Sequence, residues 1–244
     1  MIISHAHRFV FIKTRKTAGT SIEIELSKHC GPDDIITTIS PKDEVLRGAH
    51  GGRVAQNFTT NKALACEYQR AALAGNCDEV ARIRRQIKRK YYNHMPVSKV
   101  TEQSGQLDDY FWFAAERHPC DRILSYIYHR KRPDKPLSFI RRAYNVMKYA
   151  PSTSFQNFHL YSVRGKVAVD AIINYDYLER DFGLICDRIG IKAPEKLITT
   201  KNTTRKSRSK PLSRIERAVV RTFCSMEIAA LSSHSVLSLG KSAS

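Results

Sequence analysis

One segment, residues 9–32, constrains the fold of this chain more than any other. Residues 9–13 form a short apolar run rich in β-branched and aromatic side chains, which predicts a buried strand. A polar loop follows at 14–19, and Thr20 with Glu23 then predicts a capping box at the start of a helix that ends before a Gly-Pro pair. A strand, a tight loop and a helix in this order are typical of an α/β fold.

The same alternation continues along the chain. Strands are predicted at 35–39, 110–116 and 167–173, and helices from Ser40-Pro41, over 61–92 with a break at 75–76, from Pro119, and over 135–148, 152–161, 176–190 and 213–231. We therefore expect a single α/β domain over residues 1–231, with a P-loop-like parallel sheet covered by helices on both faces. The polar residues 232–244 predict a frayed tail.

The net charge of the chain indicates which class of partner it binds. There are 41 Lys and Arg against 23 Asp and Glu, a net charge of +18, and two windows hold much of the excess, 82–90 and 201–210. Such local basicity predicts an anionic partner: phosphate, nucleic acid, an acidic glycan or a membrane surface. The six cysteines are scattered without a C-x-x-C pair, and no metal site is expected. No apolar run is long enough to span a membrane and no signal segment is recognisable, so we expect a cytoplasmic protein.

The loop after the first predicted strand has the features of a phosphate cradle. Its amides and the start of the next helix would face an anion, and Lys16 would add a positive charge. It is not a Walker A loop, because only Gly19 of the two required glycines is present. The alternative is an ordinary strand-to-helix turn with a solvated lysine.

A second group of polar residues follows the strand predicted at 110–116. Arg117 comes at the end of this strand and Ser125 lies eight residues further on, inside the next helix. The carboxyl ends of parallel strands meet at one edge of a sheet, so Lys16 and Arg117 are expected to share that edge. The alternatives are a salt bridge between Arg117 and Asp121, and a Ser125 hydroxyl bonded to its own helix.

Both segments resemble motifs of one enzyme family, the sulfotransferases that use 3′-phosphoadenosine-5′-phosphosulfate (PAPS). The run from Lys16 to Ser21 resembles their 5′-phosphosulfate loop, and Arg117-His118-Pro119-x-x-Arg122-x-x-Ser125 resembles their 3′-phosphate segment. Asn93-His94-Met95-Pro96 and the stretch 175–182 resemble further parts of the carbohydrate-type branch. The chain departs from the family at Arg15, where proline is usual, and at His118, where asparagine is usual.

The resemblance implies a sulfotransferase fold and transfer of a sulfuryl group from PAPS to an acceptor hydroxyl, on a carbohydrate or glycan, without a metal. The implied nucleotide-binding residues are Arg15, Lys16, Thr17, Ala18, Gly19, Thr20, Ser21, Arg117, Ser125, Arg205 and Lys206. Lys16 is also expected to stabilise the leaving phosphate. A base must take the acceptor proton, and His94 is the first candidate, followed by His50 in a glycine-rich turn and then Glu116.

Other functions remain open at this point. A basic nucleic-acid-binding protein would explain the net charge but neither motif, and a metal-dependent kinase-like phosphotransferase would need a complete phosphate loop and carboxylates for Mg²⁺. A PAPS-binding scaffold without activity is a third alternative. The basic window 82–90 is expected either to contact an anionic acceptor or to form a solvated helix face. The window 201–210 is expected to close over the nucleotide or to be a disordered loop.

Overall fold

The computed structural model describes residues 1–105, 107–131, 137–198 and 211–236. Its strands are β1 (Ile2–Ser4), β2 (Phe9–Ile12), β3 (Ile35–Ile36), β4 (Phe111–Glu116), β5 (Ser162–Val163), β6 (Lys166–Val167) and β7 (Ala171–Asn174). Five of them form one sheet in the order β3-β1-β2-β4-β7, and β5 and β6 form a separate hairpin. The protein is therefore a mixed α/β structure.

The sheet is mixed, and the expectation of a fully parallel sheet was wrong. Strands β2, β4 and β7 run parallel to one another, but β1 pairs antiparallel with both β2 and β3. Only four residues separate β1 from β2. A connection this short allows a hairpin but not the crossover that parallel neighbours need.

The helices of the described residues mostly follow the predicted order. They are α1 (Gly19–Ser27), α2 (Pro41–Ala49), α3 (Lys62–Leu73), α4 (Cys77–Gln86), α5 (Val97–Ser104), α6 (Pro119–Lys131), α7 (Phe139–Tyr149), α8 (Phe158–Tyr161), α9 (Leu178–Arg188), α10 (Arg214–Phe223) and α11 (Ser225–Ser233). The helix predicted over 152–161 forms only its last turn, and the last predicted helix is interrupted at Cys224. Within the described ranges, every helix is too short or too polar to cross a lipid bilayer.

Helices flank the sheet because alternate strand residues enter two different cores. Phe9 and Phe11 of β2 pack with Ile22 of α1 and with residues of α9. Val10 and Ile12 point the other way and pack with the helices α3, α4 and α5. Burial on both faces explains why these strands appear in the sequence as uninterrupted apolar runs.

Four helix caps are predicted from the sequence, and the two at Ser40 and Ser213 are present. The cap predicted at Asp176 with Glu179 is wrong, because α9 begins at Leu178 with Tyr177 as its N-cap and no side-chain cap. Ser40 caps α2, with Pro41 in its first turn, and Ser213 and Glu216 form a capping box on α10. At α1 the predicted capping box is wrong, because the N-cap is Ala18, two residues before Thr20, and the helix begins at Gly19. Glu23 is therefore not a capping residue but lies buried inside the fold.

The end of the described chain is packed against the sheet. Residues 232–236 were assigned to the tail, yet the His234 carbonyl accepts a 2.8 Å hydrogen bond from the Ile172 amide of β7. Val236 is buried in the core on the α1 side. Residues 237–244 lie outside the described ranges.

Candidate functional site

The loops that follow β2, β4 and β7 meet at one edge of the sheet. Strands β4 and β7 end at the same level, with Glu116 opposite Asn174, and β2 ends two residues earlier, with Ile12 opposite Ala114. Lys16 lies in the loop after β2, and Arg117 comes directly after β4. The structure thus places both predicted anion-binding segments on the carboxyl edge, where parallel sheets bind ligands.

The loop between β2 and α1 has an unusual backbone. Lys16 and Ala18 both adopt left-handed φ angles, 63° and 61°, on either side of Thr17. The Thr14 hydroxyl donates to the Ala115 carbonyl of β4, and a 2.7 Å contact joins the Thr14 and Thr17 hydroxyls. Alternating backbone handedness at a helix start turns successive amides toward one concave surface, which is a geometry that binds anions.

Asn157, at the start of α8, fixes this loop to the end of β4. Its side-chain oxygen accepts from the Arg15 amide at 2.9 Å, and its side-chain nitrogen donates to the Arg15 carbonyl at 3.1 Å and to Glu116 at 3.2 Å. The Arg15 guanidinium donates to the Gln156 carbonyl at 3.2 Å. Arg15 is therefore held beside the loop by residues 156 and 157, partners that no sequence motif indicates.

A buried ion pair lies beneath the loop. The ammonium of Lys13, which is only 4% exposed, pairs with the fully buried carboxylate of Glu23, and Arg47 of α2 lies 3.7 Å from the same carboxylate. Burial alone would raise the pKa of Glu23, but Lys13, the amino terminus and Arg47 lower it to about 2. A Cβ atom on Gly19 would lie 2.8 Å from Cγ of Lys13, so the close passage of this lysine requires glycine there.

Arg117 is buried without a carboxylate partner. It is 9% exposed, its Nε atom has no hydrogen-bond partner, and its guanidinium lies 4.4 Å from the centre of the Tyr175 ring, which follows β7. Among the described residues no ion pair neutralises it, and the alternative salt bridge to Asp121 is not formed. A buried, uncompensated charge is costly to a fold, and an anionic ligand at this position would remove that cost.

Ser125 lies within α6, His118 directly precedes this helix, and the two residues have different roles. The Ser125 hydroxyl is half-buried and makes no hydrogen bond with any residue that the structure describes, so it is not bonded to its own helix. The His118 carbonyl accepts from the amides of Asp121 and Arg122 at 2.9 and 3.0 Å, and its ring accepts from the Cys120 amide. His118 thus precedes α6 and accepts hydrogen bonds from the amides of its first turn.

Arg122, of the same motif, is a structural residue. It is fully buried, lies 3.4 Å from Glu116 and 3.5 Å from Glu227, and rests 4.5 Å from the centre of the Phe155 ring. Glu116 also accepts from the Arg117 amide and the Tyr161 hydroxyl. Burial raises the pKa of Glu116. This carboxylate is thus enclosed by its partners, a placement that favours a structural role over that of the alternative base.

The His94 side chain lies beside Lys13, the residue that precedes the loop between β2 and α1. Its Nδ1 atom is 2.9 Å from the Lys13 carbonyl, which can only accept, so Nδ1 carries the proton and Nε2 is left as an acceptor. The residue has a left-handed φ of 58° and is partly exposed. Burial, followed by the charge of Lys13, lowers the pKa of His94 to about 3. The ring is therefore neutral near pH 7, which is the form a general base needs, but its basicity in the free protein is low.

One other predicted site residue, His50, is not brought to this edge. His50 is exposed and caps the carboxyl end of α2, in a turn that contacts Ser27 at the far end of α1. This placement argues against His50 as the base. Arg205 and Lys206 lie outside the described residues. The described ranges also contain no cluster of three His, Cys, Asp or Glu residues that could hold a metal ion.

Comparison with known proteins adds no further constraint. No family model, no curated protein and no solved structure matches this chain. The site is therefore defined by its own geometry: an amide-rich loop with Lys16, a buried unpaired Arg117 and a neutral His94, all at the carboxyl edge of the sheet.

Proposed function

We propose that this protein is a PAPS-dependent sulfotransferase with a P-loop-like sulfotransferase fold. One observation carries the proposal: Arg117 is a buried, unpaired cation on the same sheet edge as the Lys16 loop. Two separate anion sites on one edge suit a nucleotide with phosphate groups at both its 3′ and 5′ positions. ATP, with a single run of phosphates, would occupy only one of them.

Different residues at this edge would bind the two ends of the nucleotide. The Arg117 fork and the Ser125 hydroxyl would hold the 3′-phosphate, because a guanidinium binds two oxygens of a phosphate at once. The loop from Thr17 to Ser21 would hold the 5′-phosphosulfate through its amides, with Arg15 nearby. Lys16 would stabilise the charge that develops on the 5′-phosphate as the sulfuryl group leaves.

His94 is the residue proposed to take the proton. The acceptor hydroxyl oxygen would attack sulfur in line, the bond from sulfur to the 5′-phosphate oxygen would break, and the hydroxyl proton would go to Nε2 of His94. The products are a sulfate ester and 3′-phosphoadenosine-5′-phosphate (PAP). An anion bound in the loop would offset the charges of Lys13 and Arg15 that lower the pKa of His94, so the ring would become a stronger base when the donor is bound.

A thermal-shift comparison tests this function without knowledge of the acceptor. PAP should raise the melting temperature more than ATP does at the same concentration, with EDTA present, because a ligand that binds the folded protein more tightly stabilises it more. Equal shifts for the two nucleotides, or a shift that needs Mg²⁺, would contradict the proposal and favour a kinase.

Substitution of Lys16 tests the chemical step. Lys16→Ala should lower radiolabelled sulfuryl transfer to a uronic-acid-containing oligosaccharide much more than it lowers PAP affinity, because the lysine acts most strongly on the leaving group. Lys192→Ala, which removes an exposed lysine after α9, is the matched control. Transfer that survives Lys16→Ala as well as it survives Lys192→Ala would show that the assigned role is wrong.

A further inference from the structure

A second cationic site lies outside the proposed nucleotide site. The carboxyl-terminal part of α4 and the segment that follows it enclose an open cavity of about 400 Å³ together with the first turn of α2. The cavity is lined by Pro41, Ala81, Arg84, Arg85, Ile87 and Arg89. Three of its six lining residues are arginines. We call it the arginine cavity.

The arginines of this cavity have no carboxylates of their own. Within the described ranges none of the three forms an ion pair, and Nε of Arg84 is buried without a hydrogen-bond partner. The acidic side chains of the adjoining α2 turn are occupied, since Glu44 binds Arg47 and Tyr68, and Asp43 binds Ser40. Three like charges around one cavity repel one another, and an anion placed among them would reverse that repulsion.

The neighbouring basic residues outside the cavity are arranged differently. Arg82, on the same helix, makes a two-atom contact with Glu79. Lys88 is exposed and does not line the cavity. Of these residues Arg82 is therefore paired with a carboxylate, whereas the three arginines of the cavity form no ion pair with any described residue.

The arginine cavity is on the same edge of the sheet as the nucleotide site. Strands β2 and β3 are both antiparallel to β1, so they run parallel to each other, and Ile2 is opposite both Phe11 and Ile36. The first turn of α2 follows β3 after four residues, which puts Pro41 at the carboxyl edge. In the strand order β3-β1-β2-β4-β7 the cavity is on the β3 side and Arg117 is on the opposite side.

His94 connects the two sites along the chain. The segment after Arg89 is anchored where the amides of Lys90 and Tyr91 both donate to the Phe58 carbonyl, at 2.8 and 3.0 Å. Three residues later His94 contacts the Lys13 carbonyl at the end of β2. The arginine cavity and the proposed base are thus carried by one chain segment, residues 84–94, which leads from α4 to the end of β2.

We infer that the arginine cavity binds an anionic group, a carboxylate or a sulfate, of a polyanionic oligosaccharide acceptor. This inference rests on the proposed function, because it assigns the cavity to the acceptor of the same reaction. Guanidinium forks bind both groups through paired hydrogen bonds. A single-stranded nucleic acid is less suited, because its binding sites combine charge with aromatic stacking and no aromatic side chain lines this cavity.

The test compares two double variants with the same loss of charge. Arg85→Ala/Arg89→Ala removes two positively charged side chains that line the cavity. Arg82→Ala/Lys88→Ala removes two positively charged side chains of the same basic window that do not line the cavity. Calorimetric titration measures binding of a uronic-acid-containing hexasaccharide, of the same hexasaccharide with its carboxyl groups reduced to alcohols, of a single-stranded RNA hexamer and of PAP. Thermal unfolding of each variant shows that it is folded.

The inference predicts that the cavity variant binds the anionic hexasaccharide about tenfold or more weakly, with PAP affinity unchanged, and that the control stays within about twofold of the wild type. Equal weakening in both variants, or no weakening in either, overturns it. It is also overturned if RNA alone depends on the cavity, or if the cavity variant loses PAP affinity, since the cavity would then hold the nucleotide. If the wild-type protein does not bind PAP but its hexasaccharide binding still depends on the cavity, the proposed function is wrong and the assignment of the cavity as an anion site is retained.

Discussion

Two arginines five residues apart, Arg117 and Arg122, should respond in opposite ways to the same substitution. Both are buried at the edge where β4 ends. Arg122 lies between the carboxylates of Glu116 and Glu227, whereas Arg117 contacts the Tyr175 ring and has no carboxylate partner in the described chain. Replacement by methionine keeps much of the side-chain length and removes the charge in both cases.

The expected magnitudes follow from these surroundings. Arg122→Met leaves two buried carboxylates without their cation and should lower the free energy of unfolding by about 3–5 kcal/mol. Arg117→Met removes a charge that no carboxylate of the described residues compensates, so the free energy of unfolding should be unchanged or higher. The same Arg117→Met change should weaken PAP binding by about 1.5–3 kcal/mol, or roughly 10- to 150-fold in Kd, the value of a hydrogen bond to a charged group.

Denaturant unfolding and calorimetric titration together measure these effects. Adenosine 5′-phosphate, which lacks the 3′-phosphate, should bind wild-type protein and Arg117→Met equally, so that the loss appears only when both the arginine and the 3′-phosphate are present. The reasoning is refuted if Arg117→Met destabilises the fold as much as Arg122→Met does, or if it weakens binding of both nucleotides alike.

Three further predictions concern the loop and the groups beneath it. The His94 pKa, followed by NMR, should lie well below its usual range in the free protein and rise when PAP is added; a pKa that stays unchanged would separate His94 from the anion site. Gly19→Ala should lower the free energy of unfolding by about 1–3 kcal/mol in denaturant titrations, because the new methyl group meets Cγ of Lys13, and wild-type stability would show that this lysine moves freely. The pKa of Glu23 is depressed to about 2, so the stability that its charge contributes is present above about pH 4.5 and is lost as the pH falls toward 2. The free energies of unfolding of wild-type protein and Glu23→Gln should therefore converge as the pH falls over that range. A constant difference between the two would contradict this.

The parallel part of the sheet could be predicted because each strand carries its own local pattern. The apolar runs after residues 8 and 110 are buried on both faces, and each is followed by a helix start. Strand β1 was missed because three residues give no periodicity, and its direction is set by pairing with β2 and β3. The helix predicted over 152–161 was largely wrong, because Asn157 bonds with Arg15 and Glu116 instead of continuing a helix.

The capping box predicted at Thr20 shows how a tertiary contact can override a local pattern. Glu23 has the right spacing to cap α1, but its carboxylate is buried against Lys13. The same limit applies to the site. Lys16, Arg117 and Ser125 were recognisable from short motifs, whereas Asn157, Tyr175 and Glu227 become partners only through long-range packing. Whether Arg117 is paired could not be read from the sequence at all, because Asp121 lies only four residues away and could have formed the ion pair.

A crystal structure of the protein with PAP tests the central claim most directly. The account predicts the 3′-phosphate on Arg117 and Ser125, the 5′-phosphate in the loop beside Lys16, and Nε2 of His94 facing the vacated sulfuryl position within about 3 Å of an acceptor oxygen placed there. A nucleotide bound away from the carboxyl edge, or one whose 3′-phosphate leaves Arg117 uncontacted, would contradict it.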